Sequence, residues 1–121
     1  MIIGVDFDGT IVDHAYPDIG DPVPNAIETM SDLIDRGDRL ILWTMRSGKE
    51  LDAAVSYLYG EKIILFGINK NPQQSSWTQS PKAYCALYID DAALGCPLTK
   101  KIGKRPSVDW TKVRDILGLD A

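Results

Sequence analysis

Four short apolar runs, the first three separated by stretches of helical period, constrain this chain more than anything else in it. The runs cover residues 1–5, 39–44, 62–66 and 86–90, each of strand length and rich in Ile, Leu, Val or aromatic residues. Between the first two, Ile27, Met30, Leu33 and Ile34 recur at helical spacing, after Pro24 at a helix start and before Gly37 at its stop. Between the second and third, Ser47 and Glu50 have the S-x-x-E form of a capping box, followed by Leu51, Ala54, Val55 and Leu58 on one face and ended by Gly60. Trp110, Val113, Ile116 and Leu117 give a last amphipathic helix, stopped by Gly118. Strands alternating with helices imply right-handed βαβ crossovers and a mainly parallel sheet, so the expected class is α/β with helices flanking the sheet.

At 121 residues the chain suits one domain, 1–121, with a real core. Two stretches break the period. Residues 11–23 carry Pro17, Gly20 and Pro22 and read as a loop, and 67–80 is polar and reads as a long loop of the kind that often carries function. Ser80 and Pro81 can open a short helical turn, and 95–107 reads as irregular. No stretch approaches the roughly 20 apolar residues of a membrane span, and the apolar opening is too short for a signal peptide. Cys85 and Cys96 have neither metal-site nor disulfide-framework spacing, which fits a reducing, cytoplasmic setting. A net charge of −4 argues against a broad nucleic-acid surface, and the one basic cluster, Lys100, Lys101, Lys104 and Arg105, reads as a solvated loop.

In a parallel sheet, ligands bind beyond the carboxyl ends of the strands, near the point where strand order reverses. The polar residues worth notice fall at those ends: Asp6 and Asp8 after the first run, Thr44 at the end of the second, Asp90 and Asp91 after the fourth. Asp6 and Asp8 are two apart, which on an extended chain places both on one face, about 7 Å from each other. Gly9 lets the chain turn away at once. Carboxylates gathered at one edge repel unless a cation sits among them, and an all-oxygen donor set suits Mg²⁺ with substrate phosphate. A carboxylate can attack phosphorus, a second can protonate the leaving oxygen, and hydroxyl and ammonium groups can hold the phosphoryl oxygens. Arg46, two residues past Thr44, is a candidate fork donor to a substrate phosphate. His14, the one histidine, and Trp77 in the long loop read as a solvated residue and a packing residue.

These residues, in this order, resemble the haloacid dehalogenase-like (HAD) phosphohydrolases. Asp6 to Thr10 matches the DxDGT motif after an apolar strand, Thr44 the hydroxyl ending the next strand, Lys82 the lysine upstream, and Asp90 with Asp91 the paired acids. The resemblance spans residues 1 to about 91. It implies a three-layer Rossmann-like domain and a Mg²⁺-dependent phosphomonoester hydrolase working through an aspartyl-phosphate. By that resemblance Asp6 is nucleophile and metal ligand, and Asp8 is general acid/base with its carbonyl on the metal. Thr44 binds the phosphoryl group, Lys82 neutralises charge (with Lys70 its competitor), and Asp90 and Asp91 complete the metal site. Neither of the family's two insertion points has room for a cap, so the chain resembles its small capless members. The expected substrate is a small phosphorylated molecule, with a macromolecular phosphate the alternative. The rival reading is a receiver-like signalling domain, or a phosphate-binding regulator, that has a similar acidic cluster but no turnover.

Overall fold

In the computed structural model, which describes residues 1–120, the first, second and fourth runs and the residues just after the third form one parallel sheet. Its strands are β1 (Ile2–Val5), β2 (Arg39–Leu42), β3 (Gly67–Ile68) and β4 (Leu87–Ile89), in the order β3-β2-β1-β4. The chain steps from β1 outward to β3, then crosses back to lie on the other side of β1. Strand order therefore reverses between β1 and β4. The α/β class expected from the alternation, Rossmann-like as the resemblance implies, is the class observed, with helices flanking the sheet and no inserted cap among the described residues.

Register decides what stands at the sheet edge. Val5 is level with Leu42 on one side and with Ile89 on the other, and Leu42 is level with Ile68. The residues that follow these four, namely Asp6, Trp43, Asp90 and Asn69, leave the sheet together. Helices α1 (Ala26–Asp35), α2 (Gly48–Gly60) and α3 (Trp110–Ile116) supply the cover. Met30, Leu33, Ala54, Leu58 and Val113 join Ile3, Val5, Leu40, Leu42 and Ile89 in one buried cluster. Because side chains alternate along a strand, Gly4 faces the opposite side, and a Cβ there would lie 2.8 Å from the Tyr88 ring and 3.0 Å from Cys85 Sγ. That close approach lets the β3-to-β4 crossover lie against the sheet.

The crossover is a fixed layer although it contains only one short 3₁₀ turn, Gln74–Ser76. Two buried amides hold it. Asn71 donates to Tyr84 O and accepts from Gln73 N, while Gln74 donates to the carbonyls of Ser80 and Lys82 and accepts from Tyr84 N. The helical turn expected at Ser80 and Pro81 is absent, since those residues bend around the Gln74 amide.

Other departures from the sequence reading have physical causes. The third run, 62–66, does not pair along its length: Lys62 turns at φ 63°, Ile63 drops into the core, and Ile64 faces solvent. The ladder starts only at Gly67, after Phe66 N donates to Leu40 O. Ser47 stands at the N-cap position of α2, yet its hydroxyl makes no capping bond. The stretch read as irregular forms an antiparallel hairpin, β5 (Leu98–Lys101) with β6 (Lys104–Val108). It is tied to the rest by Val108 N on Gly9 O and by Lys101 and Lys104 on the Asp13 carboxylate, so two of the four basic residues are paired. The loop 11–23 closes on itself through Asp13 N on Asp21 O and Val23 N on Ile11 O. No helix among the described residues is long and apolar enough to cross a membrane.

Candidate functional site

At the switch point, a cleft of about 300 Å³ is lined by Asp6, Trp43, Thr44, Met45, Asn69 and Asp90. One carboxylate oxygen each from Asp6, Asp90 and Asp91 lie within 4.8 Å of one another, close enough for a single cation to touch all three. The structure thus brings together Asp6, Thr44, Asp90 and Asp91 of the residues singled out from sequence. Thr44 is held by its backbone: its N–H donates to Asn69 Oδ1 at 2.8 Å, and its hydroxyl oxygen accepts from Arg46 N at 3.1 Å. That leaves the hydroxyl proton to be donated into the cleft.

Asp6 bears the strain of this arrangement. Burial, then the charge of Asp90 and a hydrogen bond with Asp91, raise its pKa from 3.8 to about 8, against smaller lowering effects of the Phe7 backbone and the Thr10 hydroxyl. Carboxylates this close cannot all ionise without compensation. The donor set is wholly oxygen, and no lysine or arginine pairs with Asp6 among the described residues, so the trio fits a hard divalent cation.

Thr10 is the residue that joins the two strand ends. Its buried hydroxyl donates to Asp6 Oδ2 at 3.0 Å and accepts from Asp91 N at 3.2 Å, while its carbonyl accepts from the indole of Trp110 at 2.7 Å. Its place in the DGT sequence was the one signal for it; its double role needs both strands in place. Gly9 is required twice over: it has φ 81°, and a Cβ there would sit 2.1 Å from His14 Nε2 and 2.4 Å from Asp91 Oδ2.

Arg46 corrects the sequence reading. Nε and Nη2 each bond one oxygen of Asp8 at 2.8 Å. The remaining donors go to the carbonyls of Asp18 at 2.7 Å, Pro17 at 3.1 Å and Glu50 at 3.3 Å. A guanidinium has five N–H groups, and all five are spent. Its faces lie near the rings of Phe7 and Tyr16, and the residue is buried. It has no donor left for a substrate phosphate. The chain turns inward between β2 and α2, which drives the side chain beneath the 11–23 loop instead of into the cleft. Asp8 is consequently turned onto Arg46, and its carboxylate is not part of the trio.

Neither candidate lysine forms an ion pair with Asp6 among the described residues. Lys82 Nζ lies 5.7 Å from the centroid of the Tyr88 ring, and Lys70 lines a separate polar pocket of about 380 Å³ that meets the cleft at Asn69. Trp77 packs edge-on against Tyr84 at 5.9 Å, as a packing residue would. His14, read from sequence as solvated, instead reaches Asp91: Nε2 is 2.8 Å from Oδ2. A separation of 77 residues gave no local signal for that contact.

No family model matches the chain, and a comparison with curated proteins finds no match. Among solved structures, it is similar to that of the conserved protein coded by a locus of Bacteroides thetaiotaomicron. The identity is 35% and the TM-score 0.78, over 100% of this chain and 92% of that one. At that identity and coverage, the chain belongs to the same family as the Bacteroides thetaiotaomicron protein.

Proposed function

We propose that this protein is a Mg²⁺-dependent phosphomonoester hydrolase of the HAD-like kind, acting through an aspartyl-phosphate on Asp6. The observation that carries the reading is the meeting of Asp6, Thr44 and Asp90 in one cleft at the switch point, with Asp91 beside them. Asp6, Asp90 and Asp91 would hold the cation. When bound, Mg²⁺ would offset the charge of the carboxylates and of the phosphoryl oxygens.

The residues divide the work between them. An Asp6 oxygen attacks phosphorus and forms the acyl-phosphate bond as the phosphorus–alkoxide bond breaks. Asp8 gives its proton to the departing oxygen, then takes one from the water that attacks the intermediate. To do so it must give up at least one of its two bonds to Arg46. The Thr44 hydroxyl donates to a phosphoryl oxygen. Lys82, beside the Tyr88 ring, neutralises charge on the phosphate, with Lys70, in the pocket that shares Asn69 with the cleft, its competitor. An open cleft without a cap suits a small phosphorylated substrate, and equally the phosphate of a larger molecule.

The test is phosphate release across a panel of sugar phosphates, nucleotides, aryl phosphates and phosphorylated nucleic-acid ends. Release should need Mg²⁺, stop with EDTA and vanish in Asp6→Asn. Wild-type rates in Asp6→Asn would remove the proposed nucleophile. One observation favours a second reading, a phosphorylatable domain without turnover: both oxygens of Asp8 are taken by Arg46. On that reading, acetyl phosphate with Mg²⁺ gives a lasting phosphoprotein and no sustained release of phosphate.

A further inference from the structure

His14 is not one of the acidic trio, but it touches a member of it, Asp91. Asp91 Oδ2 meets His14 Nε2 at 2.8 Å, in a spot where the two side chains are 13% and 20% exposed. When the Asp91 carboxylate is ionised it can only accept, and Nε2 is then the donor. The pair fills the space that a Cβ on Gly9 would occupy. The main chain of Asp91 is fixed separately, by its N–H on the Thr10 hydroxyl. A carboxylate pinned at its backbone and at one oxygen presents the other oxygen in a set direction.

His14 is itself held from behind. Asp13, its neighbour, donates its N–H to Asp21 O at 2.8 Å, and its carboxylate takes Lys101 at 3.1 Å and Lys104 at 3.5 Å. Lys101 and Lys104 stand on either side of the hairpin turn, and β6 is fastened to Gly9 O through Val108 N. The hairpin therefore braces the loop that delivers the imidazole.

We propose that His14 is a positioning residue for the cation site: through Asp91 Oδ2 it orients the third carboxylate of the trio, and the β5–β6 hairpin acts through Asp13 to keep it there. Groups that orient metal-ligating side chains commonly matter 10- to 100-fold in affinity. The inference rests on the reading of the trio as a cation site, and not on hydrolysis.

The experiment is Mn²⁺ titration of the full chain, followed by electron paramagnetic resonance of the free ion, with melting temperatures taken in EDTA. His14→Leu should weaken Mn²⁺ binding by about 10- to 100-fold with little change in the metal-free melting temperature. His14→Gln, whose amide nitrogen can donate the same bond, should recover most of the affinity. If His14→Leu does not fold, His14→Asn, with a shorter amide, takes its place. Equal affinity in wild type and His14→Leu overturns the inference. So does a loss of affinity matched by a large fall in metal-free melting temperature, because His14 would then only hold the fold. A wild type that binds no Mn²⁺ overturns both the trio reading and this one. A wild type that binds Mn²⁺ but releases no phosphate overturns the hydrolase reading alone.

Discussion

Both oxygens of Asp8 are gripped by Arg46, with Nε on one and Nη2 on the other at 2.8 Å each. The same guanidinium holds the carbonyls of Pro17 and Asp18 in the 11–23 loop and of Glu50 in α2. One side chain therefore ties the candidate acid/base to the loop above it and the helix beside it. Arg46→Met should destabilise the protein by about 3 kcal/mol, the scale for stranding one partner of a buried pair. Arg46→Lys should recover less than half of that, since an ammonium cannot match the fork. Urea unfolding of the three proteins checks both. In the proposed reaction the loss should fall on kcat more than on KM, because Arg46 acts through Asp8 and has no donor left for substrate.

The raised pKa of Asp6 has a definite sign. In the metal-free protein the folded state holds a proton on Asp6 between pH 3.8 and about 8 that the unfolded state has already lost. Stability contributed by this group therefore falls as pH rises through that window and levels off above it. Denaturation in EDTA at pH 5, 6.5 and 8 should show the decline, and Asp6→Asn should remove most of it. Metal binding at pH 7 should release about one proton, measured as a buffer-dependent heat in calorimetry.

Gly9→Ala brings two penalties to one position. The backbone has φ 81°, and the added methyl would overlap His14 Nε2 and Asp91 Oδ2. A loss of about 1–2 kcal/mol is expected from the backbone alone. The imidazole must also leave Asp91, so Mn²⁺ affinity should fall along with the melting temperature.

Trp110→Phe keeps a buried ring but loses the indole bond to Thr10 O, 2.7 Å long. Leaving that carbonyl unpaired should cost about 1–3 kcal/mol in thermal or urea unfolding. Thr10 bridges Asp6 and Asp91, so metal affinity should weaken too, although Trp110 lies on α3, outside the cleft.

What could be read from the chain alone was local in origin. An apolar run followed by acid is visible in residues 1–10 and again in 86–91, because strand-forming and charged residues are adjacent in sequence. The third strand was misplaced because Ile63 and Ile64 look like any buried pair until Lys62 turns the chain and only one of them enters the core. The β5–β6 hairpin was missed because its residues are mostly polar and exposed, and its anchors, Asp13 and Gly9 O, lie far away in sequence.

The sequence by itself determined the α/β alternation and the placing of acids at the ends of two strands, since both follow from side-chain type and short-range spacing. Tertiary structure alone decided which charges meet. The level register of Val5 with Leu42 and Ile89 puts Asp6 and Asp90 side by side, and Thr10 closes the gap to Asp91. The path of the 11–23 loop sends Arg46 to Asp8 and His14 to Asp91. A charged side chain takes the partner that burial leaves within reach, and that partner is settled only when strands, helices and loops have packed.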